Sequence, residues 1–113
     1  MFLESIEYTA TLIEYVARQT GQSVSYVTNT LGYTRVYNLC HNAPMNRLLP
    51  IKKIGMEVIS DNYLPSSSFS DALSPNIQYG AEIARQVAAL ANDKRQYVDK
   101  LFLILTGGLC GEE

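Results

Sequence analysis

The chain has 113 residues, 47% of them hydrophobic and 18% charged, with a net charge of −2. That length and apolar content suit one domain with one core, and they exclude a mainly disordered chain. No apolar run approaches the ~20 residues that span a bilayer, and the most apolar one, residues 101–105, reads as core.

Two cysteines, Cys40 and Cys110, are too few and too far apart for a disulfide framework. Reduced thiols in a cytoplasmic protein are the expectation. The first residues, MFLESIEYT, lack a basic region and soon turn acidic, so no secretory leader is expected.

Residues 3–20 predict the first helix. Leu3, Ile6, Ala10, Ile13 and Ala17 recur at three- and four-residue steps, with Leu12 and Val16 widening the stripe. Gly21 suits a left-handed residue just past the helix. Ser23 suits the N-cap of a second helix, in which Val24, Val27 and Leu31 share a face. Gly32 is expected to end it. Thr34 then caps a third helix from Arg35 to about Asn42, with Val36, Leu39 and Cys40 inward and Arg35, Asn38, His41 and Asn42 outward. Ala43-Pro44 is expected to stop it, because a residue before proline avoids helical dihedrals.

A fourth helix is predicted from Asn46 or the Pro50 region to about Tyr63, with Ile51, Ile54, Val58 and Ile59 on its apolar face. Gly55 within it suggests a close helix crossing. Residues 65–74, PSSSFSDALS, read as a linker with Phe69 and Leu73 as anchors. A fifth helix is predicted from Pro75 to about Ala91, capped by Ser74, with Ile77, Ala81, Ala84, Val87 and Ala88 on one side. Asp93 and Gln96 have the form of a capping box for a sixth helix, which runs to about Thr106 and stops at Gly107-Gly108. A single kinked helix over the same span is the alternative. The tail, residues 109–113, is expected to fray. The fold class is therefore all-α, with about six helices: a compact four-helix part over 1–64, the linker, and a helical hairpin over 75–108.

Residues that could do chemistry are scarce. His41 is the single histidine, and its neighbour Cys40 points about 100° away on a helix, which argues against a thiolate–imidazole pair. Zinc calls for about four nitrogen or sulfur ligands, more than this chain offers. Glu57 and Asp61 share a helical face, as solvated carboxylates commonly do. No enzymatic activity, cofactor or metal is expected.

Charge is segregated along the chain. Residues 1–14 carry three acids and no base. Residues 15–56 carry Arg18, Arg35, Arg47, Lys52 and Lys53 and no acid. Residues 57–113 carry eight acids against four bases. A basic surface for an acidic partner, protein or nucleic acid, follows if the segregation survives folding. Residues 23–42 have the helix–glycine–helix form of a helix-turn-helix, which would make 33–42 a DNA recognition helix. Arg35, Asn38 and His41 would then meet bases, and Arg18, Arg47, Lys52 and Lys53 would meet phosphates.

The runs LIEYVA (12–17), Gly21 and Ser23, Leu31 before the turn, YNLCH (37–41) and VISDNY (58–63) are similar to a family of small bacterial helical proteins of unknown function. Members of that family sit beside ADP-ribosyltransferase-like genes in suspected toxin–antitoxin pairs. The similarity covers about half of the chain. It implies a partner-binding, antitoxin-like or accessory role without catalysis. Another protein is thus the first expected partner, DNA the second, and a second copy of the chain, joined through its alanine-rich fifth helix, the third. No membrane partner is expected.

Overall fold

A computed structural model of the protein describes residues 1–65 and 69–107. Among these residues the chain is all-α, with no strand. Its α-helices are α1 (Leu3–Thr20), α2 (Val24–Asn46), α3 (Ile51–Asp61), α4 (Ile77–Leu90) and α5 (Tyr97–Leu105), the last preceded by a 3-10 turn at Lys94–Gln96.

Helix α1 is the axis of the molecule. The other four α-helices all pack against it. Twelve of its eighteen residues are buried, far more than one amphipathic stripe accounts for, so it is enclosed on nearly every side. Its buried hydroxyls avoid a desolvation penalty by bonding one turn back along the same helix. Thr9 donates to the Ser5 carbonyl at 2.8 Å, Thr11 to Glu7 at 2.9 Å and Thr20 to Val16 at 2.9 Å. The helix stops at Gly21, which is left-handed (φ 68°), and the Gln22 N–H reaches back to the Ala17 carbonyl at 2.9 Å.

Two expected helices form one element, α2, interrupted at a single residue. Ser23 caps it by accepting from the Tyr26 N–H at 3.0 Å. Gly32 lies at φ 81° and ψ 165°, a region that is essentially glycine's alone. The chain therefore bends there and resumes helix at once. It also runs through Ala43-Pro44, where a stop is expected, and ends at Asn46. Proline removes one ladder bond in the last turns, but Ala43 is fully buried and the Arg47 N–H bonds the Ala43 carbonyl at 2.9 Å. Tertiary packing holds this turn against the local preference.

Helix α3 buries Ile54, Gly55, Val58 and Ile59. Its end is a left-handed Tyr63 (φ 54°), with the Leu64 N–H bonded to the Ile59 carbonyl at 3.0 Å. The chain from Phe69 to Ser74 is clamped to α1. Gln19, itself buried, uses both ends of its carboxamide on the Ser70 backbone, at 2.8 and 2.9 Å. Arg18 donates to the Ser74 carbonyl at 2.6 Å, and Phe69 meets the Tyr15 ring edge-on at 6.1 Å.

The cap of α4 is Asn76, accepting from the Tyr79 N–H at 3.1 Å, two residues later than the expected Ser74. Its buried stripe is Gly80, Ile83, Ala84 and Val87, so Ile77 and Ala88 face solvent rather than the core. The closest helix crossing is at Gly80. A Cβ there would stand 1.9 Å from the Thr11 hydroxyl and 2.6 Å from the Glu7 carbonyl oxygen. Helices α4 and α5 are separate, because Ala91 is extended (ψ 138°). Asp93 caps the turn before α5, and Gln96 accepts from the Asn92 N–H at 2.8 Å, one residue before the capping-box position. Gly107 is left-handed (φ 80°). The expectations for Gly108, Cys110 and the tail lie outside the described residues.

Candidate functional site

The seven residues singled out for partner contact do not converge. Arg18 pairs with Glu14 at 2.9 Å while holding Ser74. Lys52 pairs with Asp71 at 2.5 Å and lies over the Phe69 ring. Lys53 pairs with Glu57 at 3.2 Å. Three bases of the acid-free run thus meet carboxylates that flank it in sequence. His41 is exposed and stacks on Tyr37, with ring centroids 6.2 Å apart. Arg35 and Asn38 line one groove and Arg47 another.

The first groove, of about 300 Å³, lies between the second segment of α2 and α3. Both helices pack on α1 and hardly on one another, which leaves a slot floored by Leu31, Leu39, Ile54 and Val58. The α2 wall presents Arg35, Asn38, Asn42 and Asn46, and the α3 wall presents Glu57, Asp61 and Asn62. Asn62 donates to the Val58 carbonyl at 2.9 Å, while its own side-chain oxygen is buried without a partner.

The second groove, of about 400 Å³, is mostly apolar. Leu49, Ile51, Pro75 and Ile77 form its walls, with Glu4, Glu7 and Arg47 at its rim. The Tyr8 hydroxyl lines it, is buried without a hydrogen-bond partner, and has its pKa raised by burial. Beside this groove the α2–α3 turn exposes large apolar side chains. Leu48 is 80% exposed and Met45 74%, and Ile77 across the groove is 64% exposed. Leu49 and Met56 are exposed as well. Met45, Leu48 and Leu49 make an apolar corner at the turn with Arg47 among them, and Ile77 shares the groove with Leu49, whereas Met56 lines a separate groove with Pro50, Lys52 and Lys53. No periodicity marks this corner in the sequence, because PMNRLLP reads as a helix stop followed by a turn.

Burial pushes the Cys40 thiol up to about 11, with a smaller lowering from the Thr9 hydroxyl, so at neutral pH it is a protonated core group and a poor nucleophile. Among the described residues no three His, Cys, Asp or Glu side chains are grouped as a metal site would need. None of the described helices is long and apolar enough to cross a membrane.

Tyr33, just past the glycine turn, reaches across to α5. Its hydroxyl donates to Asp99 at 2.6 Å and its ring meets Phe102 edge-on at 5.8 Å. That hydrogen bond, more than burial, pushes the Tyr33 pKa up to about 12.

Comparison with protein-family models, with curated proteins and with solved structures finds no match to the chain.

Proposed function

We infer that this protein is a non-enzymatic protein-binding module, an antitoxin-like or accessory member of a pair, which receives its partner on the apolar corner of the α2–α3 turn. The observation that carries this reading is the exposure of Met45, Leu48 and Leu49 on one turn, with Ile77 in the groove that Leu49 lines. Contiguous apolar side chains of this size on a soluble surface mark an interaction site. Methionine adapts its shape to a partner, and a nearby arginine suits the rim of an interface. The similarity of the N-terminal half to small helical proteins of suspected toxin–antitoxin pairs supports a regulatory role. The buried, protonated Cys40 supports the absence of nucleophilic catalysis.

The helix-turn-helix alternative gains less support. The outward face of 33–42 has one formal cation, Arg35, and Arg35 shares its groove with Glu57 and Asp61, which repel a polyanion.

The direct test is co-expression with the product of the neighbouring gene, followed by size exclusion. The wild type co-elutes with that partner. Met45→Asp combined with Leu48→Asp weakens binding by about 30-fold or more, the scale of one interface hot spot, and leaves the melting temperature unchanged because both side chains lie in solvent. Co-elution that survives the double substitution removes the corner from the reading. A dimer of this chain alone, closed through the same residues, would move the reading to a homo-oligomer.

A further inference from the structure

We propose that the slot between α2 and α3 binds a segment of a partner protein in extended conformation, and that it selects a lysine or arginine side chain in that segment. Asn38, Asn42 and Asn46 stand at four-residue steps along one wall. None of the three makes a side-chain hydrogen bond among the described residues. Each carboxamide offers donors and an acceptor together, the complement of a peptide unit. Four residues of helix rise about 6 Å. Two residues of an extended chain advance about 6.6 Å. A strand-like segment laid along α2 therefore brings a backbone amide to each asparagine at every second residue. A helical ligand has no such groups to offer, because its own ladder consumes them.

The floor suits the same occupant. Leu31, Leu39, Ile54 and Val58 take the side chains that alternate away from the asparagines. The opposite wall sets the charge. Lys53 already pairs with Glu57, and the slot's own base, Arg35, stands on the α2 wall and donates to the Leu31 carbonyl, whereas Asp61 has no ion pair among the described residues. The side-chain oxygen of Asn62, next in sequence, is buried and unbonded. An unpaired carboxylate accepts several N–H donors at once, which an ammonium or a guanidinium supplies.

This proposal rests on the reading of the protein as a protein-binding module, but it uses a different face from the apolar corner. The test titrates peptides on the order of ten residues, with interspersed proline to prevent helix, into the ¹⁵N-labelled full chain. The central residue of the peptide is lysine, alanine or glutamate. The Asn38, Asn42 and Asn46 side-chain amide signals report binding. The lysine peptide shifts them saturably and the glutamate peptide binds more weakly. Asn38→Ala with Asn42→Ala, both exposed and thus folded, weakens every peptide by about tenfold. Asp61→Asn brings the lysine peptide to the affinity of the alanine peptide and leaves the alanine peptide unchanged. Leu48→Asp leaves peptide affinity unchanged.

No saturable shift with any peptide overturns the proposal, as does equal affinity for the lysine and glutamate peptides. Displacement of the lysine peptide from these signals by a short DNA duplex does so too, in favour of a nucleic-acid face. If peptides fail while partner co-elution persists, the slot proposal falls and the binding-module reading stands. If both fail, both fall.

Discussion

Gly32 and Tyr63 are both residues of positive φ, but Gly32 interrupts a helix and Tyr63 follows the end of one. Gly32 has extended ψ, at 165°, where a side chain clashes with its own backbone. A Cβ at Gly32 meets nothing within 4 Å, so the penalty of Gly32→Ala is purely one of backbone, about 1–3 kcal/mol. Tyr63 occupies the ordinary left-handed position that ends a helix, as Gly21 does. Its side chain is 93% exposed and contributes no packing. Tyr63→Gly therefore stabilises the fold by about 1 kcal/mol. Chemical denaturation of the two variants checks the opposite signs.

Tyr33 supplies a pH-dependent contact. Its folded pKa is raised from 10.0 to about 12, so it stays protonated where an unfolded tyrosine has ionised. The stabilisation is fully present below pH 10 and is lost as pH rises through about 12. In a tyrosinate absorbance titration two tyrosines are expected to ionise late, Tyr33 at about pH 12 and Tyr8, which burial also raises. Asp99→Ala returns Tyr33 towards the others.

At the scale of elements, the crossing of α1 and α4 is set by one missing side chain. Gly80→Ala gains helix propensity of about 1 kcal/mol. It also forces a Cβ against the Glu7 carbonyl oxygen, a backbone atom that cannot rotate away. The collision wins. The net loss is on the order of 2 kcal/mol, a fall in Tm of about 8 °C in thermal melts. Thr11→Ala does not rescue it, since the backbone contact remains. Gly55, the crossing that helix spacing singles out, is less tight. Its Cβ would meet only the Tyr15 ring, at 3.0 Å, so Gly55→Ala lies near neutral. Spacing shows that a glycine interrupts a helix, but not which neighbour approaches it. Thr11 and Gly80 are far apart in the chain, and neither carries a mark of the other. The same holds for Gln19, which clamps Ser70 through a side chain that reads as a polar helix end.

Across the whole molecule, charge shows why a linear pattern can mislead. The five bases over residues 15–56 stand in one acid-free run. Folding brings Glu14, Asp71 and Glu57 to three of them. Such exposed pairs add little stability, and they place a carboxylate beside three of the five bases, while Arg35 and Arg47 have no ion pair among the described residues. The apolar corner arises in the opposite way. Met45, Leu48 and Leu49 look like ordinary core formers around a proline. They are exposed because α2 continues through Pro44 and carries the turn outward, leaving a groove between it and α1.

Local chemistry was enough to read the helical class, the cap at Ser23 and the glycine stops at Gly21 and Gly107, while it left open whether α4 and α5 were one kinked helix. Each depends on a few adjacent residues and on backbone preferences that distant contacts do not alter. The central burial of α1, the rotation of the α4 stripe, the passage through Pro44 and the slot lined by Asn38, Asn42, Asn46 and Asn62 were settled by packing alone. They depend on which faces meet across tens of residues, and buried area there outweighs the small local preferences that a sequence displays.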